Sequence, residues 1–199
     1  NPELTLLKLG QLPALRSLKC IFNDALVSLS FKGLTNLSDV QCGSNPQLSI
    51  IETGEKINVR SLSIGDCAFR SLEFINSFPL LQELSCSSNN LTSLDLSELP
   101  LLRSVDCSDN KKLVHLQIPE QNSVNPILQN LDCSFCYLDE KELNAIFCVL
   151  PVAPNPYPEY PSGYGITFNG NPGSENCDRK LVEDKGWNIF VNPEDLINR

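Results

Sequence analysis

Apolar residues recur along this chain at a fixed spacing, and polar residues fill the positions between them. The segment 81–113 contains the pattern L-x-x-L-x-C-x-x-N-x-L twice, the second time with one residue added before the last leucine. Six copies of the pattern begin at Leu15, Leu37, Val59, Leu81, Leu102 and Leu128. Their starts are 22, 22, 22, 21 and 26 residues apart. An internal period of this length indicates a stacked repeat architecture.

Each copy predicts one short strand. The x-L-x-C portion alternates polar and apolar residues, so leucine and cysteine face inward and their neighbours face outward. Stacking the copies predicts a parallel sheet with strands about 4.8 Å apart. A second half-repeat, L-x-(L/I/F), recurs at Leu7–Leu9, Leu29–Phe31, Leu72–Phe74, Leu94–Leu96 and Leu116–Ile118. One copy of this half-repeat, near Ile50, is degenerate, and the longest interval holds an insertion at 120–125 that we interpret as a loop.

The cysteines follow the same period. One inward position is occupied in turn by Cys20, Cys42, Ile64, Cys86, Cys107 and Cys133. Because isoleucine replaces cysteine once, we interpret this column as small buried hydrophobic residues rather than metal ligands. A zinc site would need paired cysteines and histidines, whereas Cys133 and Cys136 already have places in the repeat and His115 is the one histidine.

A second column is polar. It consists of Asn23, Asn45, Cys67, Asn89, Asn110 and Cys136. We predict that the asparagines form a ladder that hydrogen bonds to turn backbones inside the repeat stack. A thiol is a weaker donor at such a position.

These motifs, read as L-x-x-L-x-C-x-x-N-x-L-x-x-L-D-(L/V)-S, resemble the short cysteine-bearing repeats of internalin-like bacterial leucine-rich repeat proteins. The resemblance covers about Leu7 to Leu138. It implies a right-handed leucine-rich repeat solenoid, mostly β within the α/β superhelix class, with a parallel concave sheet of about six coils and a small α+β C-terminal cap. Because a single coil cannot bury its leucines, the end of such an array needs a cover.

The predicted organisation is therefore a repeat array at 1–138, with its first coil open, and a capping region at 139–199. Asp139 and Glu142 match a capping box at the start of a helix whose apolar face is Leu143, Ile146, Phe147 and Leu150. The proline-rich stretch 151–161 predicts an extended exposed loop.

Three further elements are predicted after that loop. Residues 165–168 (GITF) predict a strand, Ser174 a helix start with Gly186 as its end, and 187–191 a last strand. The string NGNPG…CD…KGW is similar to a cap found behind bacterial repeats of this type. Cys148 and Cys177 lie in this region, and the sequence leaves open whether they form a disulfide.

Charge narrows the classes of partner. The net charge of −9 argues against nucleic acid and against an anionic membrane surface. No apolar run is long enough to span a membrane, and no secretory signal is visible, so we expect no membrane insertion by this segment. Because the chain contains no methionine and Leu7 begins in mid-repeat, we expect it to be a trimmed product with further chain upstream.

Catalytic motifs are absent from the sequence. There is no G-x-x-x-x-G-K-(S/T), G-x-G-x-x-G or H-E-x-x-H, and His115 falls at an outward position without partners for nucleophilic catalysis. We predict no catalytic, cofactor-binding or metal-binding residues. A hydrolase with a carboxylate pair is the weakest of the functional hypotheses, because carboxylates on an open sheet stay solvated.

The concave face of the predicted sheet is the better candidate for function. Its candidate partner-binding residues are Asp39, Asp66, Glu83, Asp106, Asp109, Asp132, Phe22 and Phe135. The leading hypothesis is a non-catalytic, monomeric recognition module that binds a protein or glycan, with a basic partner as one option. The alternative is a structural spacer without a ligand of its own. The resemblance implies an extracellular or cell-surface bacterial protein.

Overall fold

The computed structural model consists mostly of short parallel strands in stacked sheets, with few helices. It describes residues 1, 3–54, 56–120, 128–154 and 163–191. The strands within those ranges are β1 (Leu6–Lys8), β2 (Ser17–Lys19), β3 (Ser28–Ser30), β4 (Asp39–Gln41), β5 (Ile50–Glu52), β6 (Ser61–Ser63), β7 (Glu83–Ser85), β8 (Ser93–Asp95), β9 (Ser104–Asp106), β10 (His115–Gln117), β11 (Asn130–Asp132), β12 (Gly165–Thr167) and β13 (Asn188–Phe190). Strands this short depend on their neighbours for stability.

Eight strands form the main sheet, in the order β13-β12-β11-β9-β7-β6-β4-β2. Six of them, β2, β4, β6, β7, β9 and β11, lie at the x-L-x-C positions, which confirms the strands predicted from the repeat. They pair in register, so that Leu62, for example, lies beside Val40 on one side and Leu84 on the other. The middle residue of each of these six strands is buried, as the alternation predicts.

The second half-repeats form a second row of strands that is interrupted once. A three-stranded sheet, β1-β3-β5, is separated from a two-stranded sheet, β8-β10, by a 3₁₀ helix at Glu73–Ser77. The degenerate copy near Ile50 nevertheless forms β5, with Ile51 beside Leu29. The helix replaces a strand because Ile75 and Phe78 are both buried, and a three-residue apolar spacing fits the 3₁₀ period.

The cysteine column is buried, as predicted. Cys42, Cys86, Cys107 and Cys133 are fully buried, and Cys20 is nearly so. Burial raises the pKa of the Cys86 and Cys133 thiols, so they stay protonated at neutral pH.

The asparagine ladder is also confirmed. Asn45 Nδ2 donates to the carbonyls of Cys20 and Cys42, each at 2.7 Å, and its Oδ1 accepts from the Asn23 backbone N–H at 2.8 Å. Where cysteine replaces asparagine, the thiol donates instead: Cys67 Sγ lies 3.4 Å from the Gly65 carbonyl oxygen, and Cys136 Sγ lies 3.3 Å from that of Cys107. These longer contacts are consistent with the weaker donor strength of a thiol.

A left-handed residue precedes each member of the asparagine column. These residues are Phe22, Ser44, Asp66, Ser88, Asp109 and Phe135, with φ between 52° and 57°. Their N–H groups donate to carbonyls of the following repeat, for example Ser44 N–H to the Gly65 oxygen at 2.9 Å. The pairing between repeats thus continues beyond the strands.

Helix α1 (Glu140–Val149) begins where the sequence predicts, and it buries Leu143, Ile146 and Phe147. Asp139 Oδ1 accepts from the Glu142 N–H at 2.8 Å, so one half of the predicted capping box is present. The other half is missing, because Glu142 Oε1 accepts from the Leu116 N–H at 3.0 Å. Glu142 therefore ties the helix to the edge of β10.

The main sheet continues past Leu138, where the sequence period ends. Strand β12 pairs with β11, and β13 pairs with β12, both in parallel. Gly170 is left-handed at φ +73°, and Asn171 takes the ladder position by donating to the Cys133 and Phe168 carbonyls at 2.8 Å each. The strands predicted at 165–168 and 187–191 are confirmed, and both belong to the main sheet.

The predicted helix start at Ser174 is wrong. Ser174 Oγ donates to the Asn171 carbonyl at 2.8 Å, so it does not cap a helix. Helix α2 is limited to Lys180–Glu183, and Gly186, at φ +75°, follows it as predicted.

The nine cysteines all lie in the described residues and all are free, so Cys148 and Cys177 are not paired. Cys148 is exposed, whereas Cys177 is buried. Of the loop predicted at 151–161, the residues from 155 onward lie outside the described residues. Of the insertion predicted at 120–125, the residues from 121 onward lie outside them as well.

Candidate functional site

The candidate surface is the outer face of the main sheet, formed by the first and third residues of its eight strands. In seven of these strands the two residues flank a buried middle residue, and in β13 they flank the half-buried Ile189, so they point away from the core. Small polar side chains such as Ser61, Ser63 and Ser85 occupy much of the centre, with carboxylates placed among them. The centre of the outer face is therefore polar and acidic.

Two predicted carboxylates, Asp39 and Glu83, share the first-position row. Asp39 Oδ1 accepts from Ser17 Oγ at 3.2 Å, and Glu83 Oε2 accepts from Ser61 Oγ at 3.1 Å. In each case the serine lies on the preceding strand of the sheet. Asp39 is half-buried and Glu83 is exposed, and two strand spacings, about 10 Å, separate them.

Asp106 and Asp132 are direct register partners in the third-position row. Each carboxylate also holds the turn that follows it, because Oδ1 accepts from both the N–H and the Oγ of the serine two residues later. The Oγ distances are 2.6 Å for Ser108 and for Ser134. Burial raises the pKa of Asp132, repulsion from Asp106 and Asp109 acts in the same direction, and the Ser134 hydrogen bonds oppose it.

The other four candidates lie in the left-handed column, beside the outer face. Asp66 is exposed, and Asp109 Oδ1 lies 3.9 Å from Lys111 Nζ. Phe22 has 68% of its surface exposed. Phe135 is half-buried, and its ring occupies the space where a Cβ on Gly170 would lie.

The predicted acidic residues are therefore distributed over three rows. Asp106, Asp109 and Asp132 form one acidic group on adjacent repeats, while Asp39, Glu83 and Asp66 are spread over the others. Sequence reasoning missed the serines that orient these carboxylates, and it missed Phe190 on the added strand β13. The Phe190 ring lies over Gly165, where the absence of a side chain makes room for it. The available signal in the sequence was Gly165, a residue without a side chain at an outward position of a predicted strand.

His115 is exposed on β10, and its Nδ1 lies 3.5 Å from Glu142 Oε2. The described residues contain no group of three or more histidine, cysteine or carboxylate side chains placed to hold a metal ion. None of the helices in that part of the chain has the length and apolar character needed to cross a bilayer.

No family model matches the chain, and no curated protein is similar to it in sequence.

Proposed function

We propose that the chain is a leucine-rich repeat solenoid of a secreted or cell-surface bacterial protein. In this proposal it recognises a protein or glycan through the outer face of its main sheet. The repeat motifs and the in-register parallel strands support the proposal. The outer face is an extended, regularly spaced surface, as in repeat proteins that bind partners along a sheet.

One observation determines the choice of partner chemistry. The second, fourth, fifth and sixth repeats each place a carboxylate on the main sheet, and the outer face of those strands carries no lysine or arginine. Their fields add over the sheet and steer a cationic group toward it. The partner is therefore one that presents lysines or arginines, and its association is fast at low salt.

A charge-reversal experiment tests this proposal. The best pair on the outer face is Asp39→Lys with Glu83→Lys, because these carboxylates accept only side-chain hydrogen bonds, whereas Asp106 and Asp132 hold turns. The matched control is Glu183→Lys with Asp184→Lys, two exposed acids outside the outer face. Both double variants change the net charge by the same amount.

Surface plasmon resonance against immobilised matrix proteins, glycans and lysine-rich peptides provides the measurement. We expect the outer-face pair to slow association by about tenfold at low ionic strength, and the control pair to have little effect. The difference should shrink as salt approaches 1 M, where the Debye length falls to about 3 Å. Equal effects of the two pairs would indicate that the outer-face carboxylates serve only solubility, and would favour the spacer hypothesis.

A further inference from the structure

A polar groove of about 500 Å³ lies between the sixth repeat and the turn that follows β12. The groove is lined by Tyr137 of the repeat, by Gly170, Glu175 and Asn176 of the turn, and by Arg179 at the start of α2. None of these residues is a first or third residue of a main-sheet strand. The groove is therefore a separate feature from the outer face.

The floor of the groove is held by buried hydrogen bonds. Asn171 is buried, and its Oδ1 accepts from the Leu138 N–H at 3.0 Å in addition to its two donated bonds. Ser174 Oγ closes the same turn on the Asn171 carbonyl. The backbone at Gly173 packs directly against the start of α1. A ligand would therefore meet a preorganised turn and lose little entropy in ordering it.

The rim of the groove offers mixed polar chemistry. The side chains of Tyr137, Glu175 and Asn176 make no hydrogen bond to other groups in the described part of the chain. An amide donates and accepts, a carboxylate accepts, and a phenol does both. Tyr137 also has 60% of its surface exposed, so its ring provides an apolar plane beside these groups.

Arg179 adds a donor whose position is fixed. Its guanidinium lies over the Phe168 ring, 5.6 Å from the ring centroid, and Nη2 donates to the Ser174 carbonyl at 3.2 Å. A guanidinium carries five N–H donors, so those not used by the Ser174 carbonyl and the Cys177 thiol can donate to a ligand. The neighbouring Glu175 carboxylate disfavours an anion at the same place, so the groove favours a neutral polar ligand.

We propose that this groove binds a neutral carbohydrate of one or two sugar units. A sugar presents hydroxyls that donate and accept, which the amide, carboxylate and guanidinium can pair. It also presents a C–H face that packs on an aromatic ring such as that of Tyr137. A purely apolar ligand would leave the polar rim unpaired on burial, and the volume lies within the range of small-molecule sites.

The test uses the full chain and defined sugars: glucose, galactose, mannose, N-acetylglucosamine and the β1–4-linked disaccharide of each, titrated to 10 mM. We expect saturable chemical-shift changes with at least one sugar, including the Asn176 side-chain amide. Tyr137→Ala should weaken that binding by about tenfold, because it removes the ring plane. Asn176→Ala should weaken it to a smaller extent.

Leu12→Ala is the control, since it removes another exposed apolar side chain from the opposite end of the repeats, outside both the groove and the outer face. It should leave sugar binding unchanged, and all three variants should keep the wild-type melting temperature. The absence of a saturable shift with every sugar, or an equal loss in Leu12→Ala, would overturn the proposal. Because no residue of the groove is changed in the charge-reversal experiment, failure of one proposal is distinguishable from failure of the other.

Discussion

At the residue scale, two side-chain columns define the interior, and they use hydrogen bonding in opposite ways. The asparagine column places every polar atom of Asn45 against backbone groups of two repeats. The cysteine column places sulfur in an apolar interior. Cys86 Sγ has no hydrogen-bond partner among the described residues, whereas Cys107 Sγ lies 3.4 Å from the Asp132 carbonyl oxygen. The same residue type is therefore a hydrophobe in one repeat and a weak donor in the next.

This difference predicts the outcome of serine substitutions. Cys86→Ser should destabilise the fold by about 1–3 kcal/mol more than Cys86→Ala, because its buried hydroxyl finds no acceptor. Cys107→Ser should show a smaller difference from Cys107→Ala, because its hydroxyl can donate to the Asp132 carbonyl. Urea unfolding of the four variants measures both differences. Equal serine-to-alanine differences at the two positions would contradict the distinction between them.

At the element scale, the chain shows which features follow from local pattern. The repeat predicts six strands of the main sheet, the buried cysteines and the asparagine ladder, because each depends on period-2 alternation or on one recurring position. The 3₁₀ helix at Glu73–Ser77 was missed because it seats Phe78 against Phe31, at a ring-centroid distance of 6.4 Å, and the spacing does not specify this tertiary contact. Strands β12 and β13 were predicted, but their place in the main sheet was not, because α1 separates them from the last repeat in the sequence.

The candidate surface was predictable only in part, for a similar reason. Outward positions follow from alternation, so Asp39, Glu83, Asp106 and Asp132 were placed correctly on the strands. Their serine partners depend on side-chain conformations, which a single sequence does not specify. The groove beside Tyr137 depends on how residues 169–179 fold back on the sixth repeat, so no local pattern predicts it.

The junction between the repeats and α1 gives an element-scale prediction. A Cβ on Gly173 would overlap the backbone of Asp139 and Glu140, and backbone cannot move aside as a flexible side chain can. Gly173→Ala should therefore destabilise the protein by about 1–3 kcal/mol through overpacking. Gly54→Ala is the control, because its nearest neighbour would be Lys32 Cγ at 3.7 Å. Thermal unfolding should show a clear loss for Gly173→Ala alone, and equal melting temperatures would show that α1 is free to shift.

At the scale of the whole molecule, the described residues 139–154 and 163–191 add two strands to the main sheet and contact both rows of strands. Strand β12 satisfies the edge of β11, and Asn171 satisfies the Leu138 N–H. Helix α1 contacts the other row of strands through Glu142, at the edge of β10. Trp187 is buried, and its Nε1 donates to the Pro151 carbonyl at 2.7 Å, which ties the last strand to the segment after α1. Both rows of strands thus depend on this region.

Truncation after Leu138 should therefore make the remaining repeats aggregate. It would remove the partner strand of β11 and expose Leu131 and Leu138, leaving an open sheet edge beside an apolar surface. A chain ending at residue 191 is the control, because it keeps every contact described for β12, β13 and both helices. Size-exclusion chromatography with light scattering should give a monomer for the control and large species for the 1–138 chain. A monomeric 1–138 chain that unfolds cooperatively would show that the repeats need no cover, and residues 139–191 would then have to be explained by binding alone.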